Sequence, residues 1–208
     1  MSMLDAQDWT ILLIGGPTAA GKTTLAEALA SRFEARYIDL DLFWIVLQRS
    51  VSADDAPELH FLDSDEVWRE DPRLLVEHYL RASAYVCRAI EPVIAHHHII
   101  GRRVVLEGCW VLPGFAQQGV YAGTPVNDGI RALFLDEPDV AATEVRIRAR
   151  PHRWLEKLPY EAQRNHLAMQ RLYGETICDQ AVSAGLPVLD SQPFETLEAR
   201  ALLAIERR

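Results

Sequence analysis

Residues 16–23 read Gly16-Pro17-Thr18-Ala19-Ala20-Gly21-Lys22-Thr23, and this stretch decides the fold. It satisfies the pattern GxxxxGK[ST], with an apolar run at 10–14 before it and an amphipathic stretch at 23–33 behind it. Glycine lets the backbone curl so that successive amides point at phosphate oxygens, and the positive end of the following helix adds to the attraction. The stretch therefore predicts a strand, a phosphate-binding loop and a helix in succession.

The motif predicts a role for two residues of the loop. Lys22 is expected to reach the outer phosphates of a nucleotide triphosphate, and the Thr23 hydroxyl is expected to bind Mg²⁺. Only Lys22 and Lys157 are lysines among the 21 basic residues, and a glycine-rich turn that merely packs would not explain a lysine here. The predicted nucleotide-binding residues are Gly16, Thr18, Ala19, Ala20, Gly21, Lys22, Thr23 and Thr24.

Strand and helix patterns alternate along the chain. Short apolar runs predict strands at 10–14, 36–38, 103–106, 130–135 and 187–189. Helical periodicity predicts helices at 23–33, 74–95, 139–149, 160–184 and 194–206, with a further helix beginning at 42–47. Parallel strands need crossover connections, so the pattern predicts an α/β fold with a doubly wound parallel sheet and helices on both faces. We expect residues 1–208 to form a single domain.

Composition narrows the possible partners. The chain has 208 residues, is 49% hydrophobic and carries a net charge of −9, so a large nucleic-acid or membrane surface is not expected. The three cysteines are far apart, which predicts reduced thiols rather than disulfides and, with no apolar stretch long enough to span a membrane, a cytoplasmic protein. The oligomeric state stays open.

Carboxylates stand at the ends of two predicted strands. Asp39 and Asp41 follow the second strand, and Glu107 follows the third. In open α/β sheets the site lies beyond the carboxyl ends of the strands. Asp39 or Asp41 is therefore a candidate to orient and deprotonate a hydroxyl, and Glu107 is a candidate to position Mg²⁺ through water or to help hold the acceptor. The alternatives are a helix N-cap for one of the two aspartates and an incidental strand-end charge for Glu107.

Arginines are dense after the fourth strand. Arg146, Arg150 and Arg153 are spaced i, i+4 and i+7, so a continuing helix would place them on one face. Guanidinium groups stabilise the charge that develops in phosphoryl transfer, and Pro151 offers a break in the helix. We predict a lid at about 146–160, with surface charge as the alternative.

Residues 50–71 are acidic and lack clean periodicity, which predicts an irregular insertion on the acceptor side. Four basic residues in or just after it are candidate ligands of an anionic acceptor, with solvated side chains as the alternative: His60, Arg69, Arg73 and Arg81.

With these motifs in place, the chain resembles the P-loop small-molecule and nucleotide kinases with an adenylate-kinase-like core. Residues 104–108 (VVLEG) and 111–114 (VLPG) are also similar to a segment of 2-phosphoglycerate kinase-type proteins. The resemblance implies ATP and Mg²⁺ as cofactors, an Arg-rich lid, and a carboxylate at the Asp39 strand end, which favours Asp39 slightly over Asp41.

The expected function is transfer of the γ-phosphoryl group of ATP to a hydroxyl of a small molecule, either neutral or anionic. The loop also resembles that of tRNA dimethylallyltransferases, so a transferase of that type is one alternative, although a net charge of −9 argues against a basic tRNA-binding surface. A nucleotide-dependent switch without an acceptor is the other.

Overall fold

The computed structural model describes residues 9–150 and 155–206, and a five-stranded parallel sheet lies at its centre. In chain order the strands are β1 (Ile11–Gly15), β2 (Arg36–Asp39), β3 (Val104–Glu107), β4 (Val120–Tyr121), β5 (Thr124–Pro125), β6 (Ile130–Asp136) and β7 (Val188–Asp190). β4 and β5 pair antiparallel as a separate hairpin. The five predicted strands are all present, whereas the sequence pattern did not indicate the hairpin.

The sheet has the strand order β2-β3-β1-β6-β7. β1 is central, and its five residues are all buried. Its neighbours pair in parallel register, with Ile14 opposite Glu107 on one side and Leu133 on the other. On β2, Asp39 lies opposite Glu107. The order reverses at β1, so the phosphate-binding loop and the two carboxylates emerge at one edge of the sheet, where ligands of such folds bind.

Helices cover both faces of the sheet. In chain order they are α1 (Lys22–Arg32), α2 (Leu40–Ser50), α3 (Pro72–Ile99), α4 (Pro113–Ala116), α5 (Val140–Arg148), α6 (Tyr160–Ser183) and α7 (Phe194–Glu206). Leu29 of α1 and Ala201 of α7 pack with Leu12 of β1 in one apolar cluster. α3 and α6 pack with Leu13 in the other. The predicted doubly wound architecture is therefore confirmed.

Several helix boundaries differ from those predicted. α2 begins at Leu40 because the Asp39 side chain accepts a hydrogen bond from the Asp41 amide and caps it. α3 continues to Ile99 with Pro92 inside it, so this proline does not end the helix. α5 ends at Arg148. Between α2 and α3 lie two short 3₁₀ helices, Pro57–Leu59 and Asp65–Arg69.

The three cysteines, Cys87, Cys109 and Cys178, are buried and form no disulfide, as predicted. In the ranges 9–150 and 155–206, no helix combines the length and apolarity needed to cross a bilayer.

Candidate active site

The loop between β1 and α1 adopts backbone conformations that residues other than glycine rarely adopt. Gly16 and Gly21 have φ of 127° and 88°, and Ala19 also adopts a positive φ of 67°. A Cβ on Gly16 would lie 2.3 Å from the carbonyl oxygen of Leu135, so only glycine fits there. Gly21 caps α1 without a side chain, so the first-turn amides of α1 have no capping side chain, which suits an anionic ligand.

Side chains of α1, α5 and α6 form hydrogen bonds with the backbone of this loop. The Lys22 Nζ is buried and donates to the carbonyl oxygen of Pro17 at 2.8 Å. The Arg146 guanidinium donates to the carbonyl oxygen of Ala19 at 2.9 Å. The Thr18 amide donates to Oε1 of Gln170 at 3.2 Å. The loop is therefore shaped by contacts from its own lysine, from α5 and from α6.

Glu107 connects the loop to the sheet. The Thr23 and Tyr37 hydroxyls each donate to Glu107 Oε1 at 2.9 Å. Burial raises the pKa of Glu107, while the nearby Lys22 ammonium and these hydrogen bonds act in the opposite direction. Hydroxyl and carboxylate oxygens are ligands that Mg²⁺ prefers. Thr23 and Glu107, both predicted metal ligands, are thus brought together at the loop.

Asp39 faces the same region and also caps α2. Its Oδ1 accepts from the Asp41 amide at 2.8 Å, which is the capping role that the sequence left as an alternative. Burial raises the pKa of Asp39, and the Lys22 and Arg150 charges partly counteract that rise. One oxygen of Asp39 therefore caps α2, while the carboxylate remains within electrostatic reach of Lys22.

Asp41 lies against a wall of stacked aromatic rings. The Trp110 indole Nε1 donates to Asp41 Oδ1 at 2.7 Å. Trp110 stacks on Trp44 on one side and on Tyr79 on the other, each at a centroid separation of 5.3 Å. We call Trp44, Trp110 and Tyr79 the aromatic wall. It fixes one oxygen of Asp41 and borders the sheet edge next to the phosphate loop.

Arg146 is held in place by contacts with two other residues. It forms an ion pair with the buried Glu137, and its guanidinium lies over the Phe194 ring at 5.6 Å. Burial disfavours the charged form of Glu137, but hydrogen bonds from Ser191 and Arg146 outweigh it and hold the pKa of Glu137 below its usual range. Arg146 is therefore an anchored residue beside the loop.

The three predicted lid arginines do not share one helix. α5 ends at Arg148, so the continuing helix on which their one-face spacing depended is absent, and Arg150 lies beyond it. The Arg150 charge opposes the rise in the pKa of both Asp39 and Tyr79. Arg153 lies outside the described residues, as does the middle of the predicted lid at 146–160.

Basic residues of the 50–71 segment and of the start of α3 are mostly engaged by their own neighbours. Arg69 pairs with Glu66, Arg81 pairs with Glu77, and both are exposed ion pairs. His60 hydrogen-bonds Asp63 and the Val51 carbonyl. Arg69 and Arg81 therefore match the solvated alternative, whereas the His60 side chain is only 14% exposed and is held by its two hydrogen bonds.

Some residues of the site were not indicated by the sequence. Tyr37 and Gln170 contact the loop or its carboxylate, yet each stands alone in an ordinary strand or helix pattern. Glu137 follows β6 in a stretch typical of a turn, and Phe194 opens α7. The strand-end position of Glu137 was the one available signal.

Comparison with known proteins supports the fold assignment. No family model matches the chain. Over 114 residues it is 31% identical to the 2-phosphoglycerate kinase of Pyrococcus horikoshii, a match that spans 51% of this chain and 37% of that enzyme. Over 54 residues it is 37% identical to the bifunctional pantoate ligase/cytidylate kinase of a Synechococcus species, covering 24% of this chain and 10% of that protein.

Solved structures match over almost the whole chain. A sugar kinase from a Janibacter species aligns with a TM-score of 0.56 at 17% identity, covering 95% of both chains. A gluconokinase from Sinorhizobium meliloti aligns with 0.54 at 16% identity, over 96% of this chain and 92% of its own. A shikimate kinase from Bacteroides thetaiotaomicron aligns with 0.53 at 18% identity, over 95% and 99%. The chain therefore has the P-loop kinase fold that its loop and its alternating strands and helices predicted.

Proposed function

We propose that the chain is a phosphotransferase that uses ATP and Mg²⁺ to phosphorylate a hydroxyl group of a small molecule. One observation carries the proposal: the Thr23–Glu107 pair and Lys22 on the phosphate loop stand next to Asp39 and Asp41 at the same edge of the sheet. Phosphoryl transfer depends mainly on positioning and on charge stabilisation, and this arrangement offers donors for phosphates beside acceptors for a hydroxyl.

The nucleotide is proposed to lie along the loop. Its phosphates would accept hydrogen bonds from the loop amides and from Lys22, which would leave the Pro17 carbonyl to reach them. Arg146 and Phe194 form a cation–aromatic pair beside Gly21, where a Cβ would come within 2.5 Å of the Phe194 ring. A planar cation over an aromatic ring at the loop exit suits a purine base, so we assign the base to this position.

Thr23 and Glu107 fit Mg²⁺ by their chemistry, because both present hard oxygen atoms beside the first turn of α1. When bound, the metal ion neutralises charge on the phosphate oxygens. Tyr37 supports the pair by donating to the same Glu107 oxygen, which restrains that carboxylate. Removal of Mg²⁺ by a chelator is therefore expected to abolish transfer.

Asp39 and Asp41 are proposed to orient the acceptor. The acceptor oxygen bonds to the γ-phosphorus as the bond between that phosphorus and the β–γ bridging oxygen breaks, which yields ADP and a phosphate ester. The acceptor proton passes to one of the two carboxylates. Arg150 and Arg153 are proposed to contact the transferred group from the lid. The similarity to the solved structures of a sugar kinase, a gluconokinase and a shikimate kinase supports a small hydroxylated acceptor.

An acceptor screen tests the proposal. Purified protein with Mg²⁺ and ATP is assayed for ADP formation with each of a set of sugars, polyols and hydroxy acids. ADP formation that depends on one acceptor class, and that Lys22→Ala abolishes, is the expected result. Equal ADP formation with and without every acceptor would contradict it and favour a nucleotide-dependent switch. Release of pyrophosphate from added dimethylallyl diphosphate, with no ADP formed, would favour the transferase alternative.

A further inference from the structure

Glu137 is a buried carboxylate next to the position proposed for the base. It follows β6, and its side chain is 1% exposed. Its Oε2 accepts hydrogen bonds from Arg146, from the Ser191 hydroxyl at 2.6 Å and from the Gln192 side-chain amide at 3.4 Å. Its Oε1 accepts from the Asp139 backbone amide at 3.1 Å. All four of these partners are donors, so the surroundings of Glu137 suit a carboxylate and not an amide.

These hydrogen bonds reach both sides of the proposed base position. Arg146 belongs to α5, whereas Ser191 and Gln192 belong to the turn that joins β7 to α7. Phe194 begins α7 directly after that turn, and the Arg146 guanidinium lies over its ring at 5.6 Å. Glu137 therefore connects the cation on one side to the turn that carries the aromatic ring on the other.

The guanidinium group of Arg146 is held at two of its nitrogens. Nη2 donates to Glu137, and Nη1 donates to the carbonyl oxygen of Ala19 in the phosphate loop at 2.9 Å. A guanidinium is planar, so hydrogen bonds from two different nitrogens set the direction of its face. Stacking on a ring depends on that direction, because the attraction acts between the cation and the face of the ring. The Ala19 bond alone would leave the group free to turn about one contact.

We propose that Glu137 is a positioning residue for the nucleotide base, which holds the Arg146 guanidinium in the orientation needed to stack on that base. The inference rests on the proposed function, in which the base lies at Arg146 and Phe194. Lys22 and Gln170 hydrogen-bond the phosphate loop directly, so binding of the phosphates is expected to be largely independent of Glu137.

The test compares binding of a nucleotide with binding of phosphates alone. Calorimetry measures the Kd of β,γ-imido ATP and that of inorganic tripolyphosphate, each with Mg²⁺. Glu137→Gln places an amide among donors, so the Arg146 guanidinium should lose its orientation. Nucleotide affinity should then fall about three- to tenfold, whereas tripolyphosphate affinity should change less than about twofold.

Two further variants separate this role from general damage. Ser191→Ala removes the 2.6 Å hydrogen bond but no charge, and it tests the same connection even if Glu137→Gln does not fold. It should lower nucleotide affinity about two- to fivefold and leave tripolyphosphate affinity unchanged. Glu144→Gln makes the matched substitution in the exposed pair with Arg148 and should leave both affinities unchanged.

A double-mutant cycle tests whether Glu137 acts through Arg146. Arg146→Lys keeps the charge beside Glu137 but removes the planar group, so nucleotide affinity should fall by about the same factor as in Glu137→Gln. Adding Glu137→Gln to Arg146→Lys should lower nucleotide affinity little further, because the orientation that Glu137 maintains is already lost. A second loss of equal size would overturn the inference.

The outcomes distinguish this inference from the proposed function. Unchanged nucleotide affinity in Glu137→Gln and Ser191→Ala overturns the inference and leaves the proposed function standing. A fall of equal size for nucleotide and tripolyphosphate also overturns it, because Glu137 would then support the phosphate loop and not the base. Failure of the wild-type protein to bind the nucleotide contradicts the proposed function itself.

Discussion

Replacing Arg146 by alanine should leave the buried Glu137 carboxylate without its cationic partner. The Glu137 side chain is 1% exposed, whereas that of Arg146 is 29% exposed, so the substitution removes the cationic partner of a carboxylate that water cannot reach. Loss of one partner of a buried pair costs about 3–5 kcal/mol. Glu137 keeps hydrogen bonds from the Ser191 hydroxyl at 2.6 Å and the Asp139 amide at 3.1 Å, which reduces the expected loss to about 2–3 kcal/mol.

Arg148 offers a matched control on the same helix. It pairs with Glu144, and the two side chains are 34% and 39% exposed. An exposed pair of this kind contributes about 0–1 kcal/mol, so Arg148→Ala should lower the free energy of unfolding by no more than that. For a chain of this size, Arg146→Ala should lower Tm by about 5–10 °C, and Arg148→Ala by a few degrees at most.

The assay is urea unfolding of both single variants, followed by a double-mutant cycle. Glu137→Gln removes the stranded charge, so it should be less destabilising in the Arg146→Ala background than in the wild-type protein. If Arg146→Ala and Arg148→Ala lowered the free energy of unfolding by the same amount, the assignment of Arg146 as an anchor of the loop would be wrong.

Three other predictions concern catalysis and acid stability. Lys22→Ala should abolish ATP turnover and leave the circular dichroism spectrum unchanged, because the Lys22 ammonium compensates the charge of the phosphates and is not needed for folding. Full turnover of this variant would refute the prediction. Asp39→Asn and Asp41→Asn should each be compared for acceptor-dependent kcat: a loss of tenfold or more with nucleotide affinity preserved is expected for the proton acceptor, and no loss in either excludes both from the chemistry. Burial lowers the pKa of His166 to about 3. The unfolded chain, with a histidine pKa near 6.5, therefore takes up the proton first as pH falls, so stability is lost below about pH 6.5, by about 2 kcal/mol at pH 5. Urea unfolding of His166→Phe at pH 7.5 and 5 should show a correspondingly smaller loss than the wild type, and equal losses would contradict the prediction.

The sequence predicted the parts of the site that depend on strand ends. GxxxxGK[ST] fixes a loop after β1, and carboxyl ends of neighbouring parallel strands must meet, so Thr23 and Glu107 could be placed together before the structure was known. The same reasoning placed Asp39 beside the loop, where it lies opposite Glu107. These placements need only the motif and the rule that sites in such sheets lie beyond the carboxyl ends of the strands.

The remaining parts depend on contacts between residues that are far apart in the sequence. Trp110 and Asp41 are 69 positions apart, and Gln170 and Thr18 are 152 apart, so no local pattern indicates that either pair meets. Helical periodicity shows that a face of α6 is buried but not which residues it meets. Most of the predicted lid lies beyond α5, which ends at Arg148, so its role in transfer stays a prediction.

The most direct test of the proposed function is ³¹P NMR of a reaction containing the protein, Mg²⁺, ATP and the acceptor identified by the screen. The proposed function predicts a phosphate-ester signal that grows in step with that of ADP and is absent for Lys22→Ala. Growth of inorganic phosphate or pyrophosphate in place of the ester would contradict it.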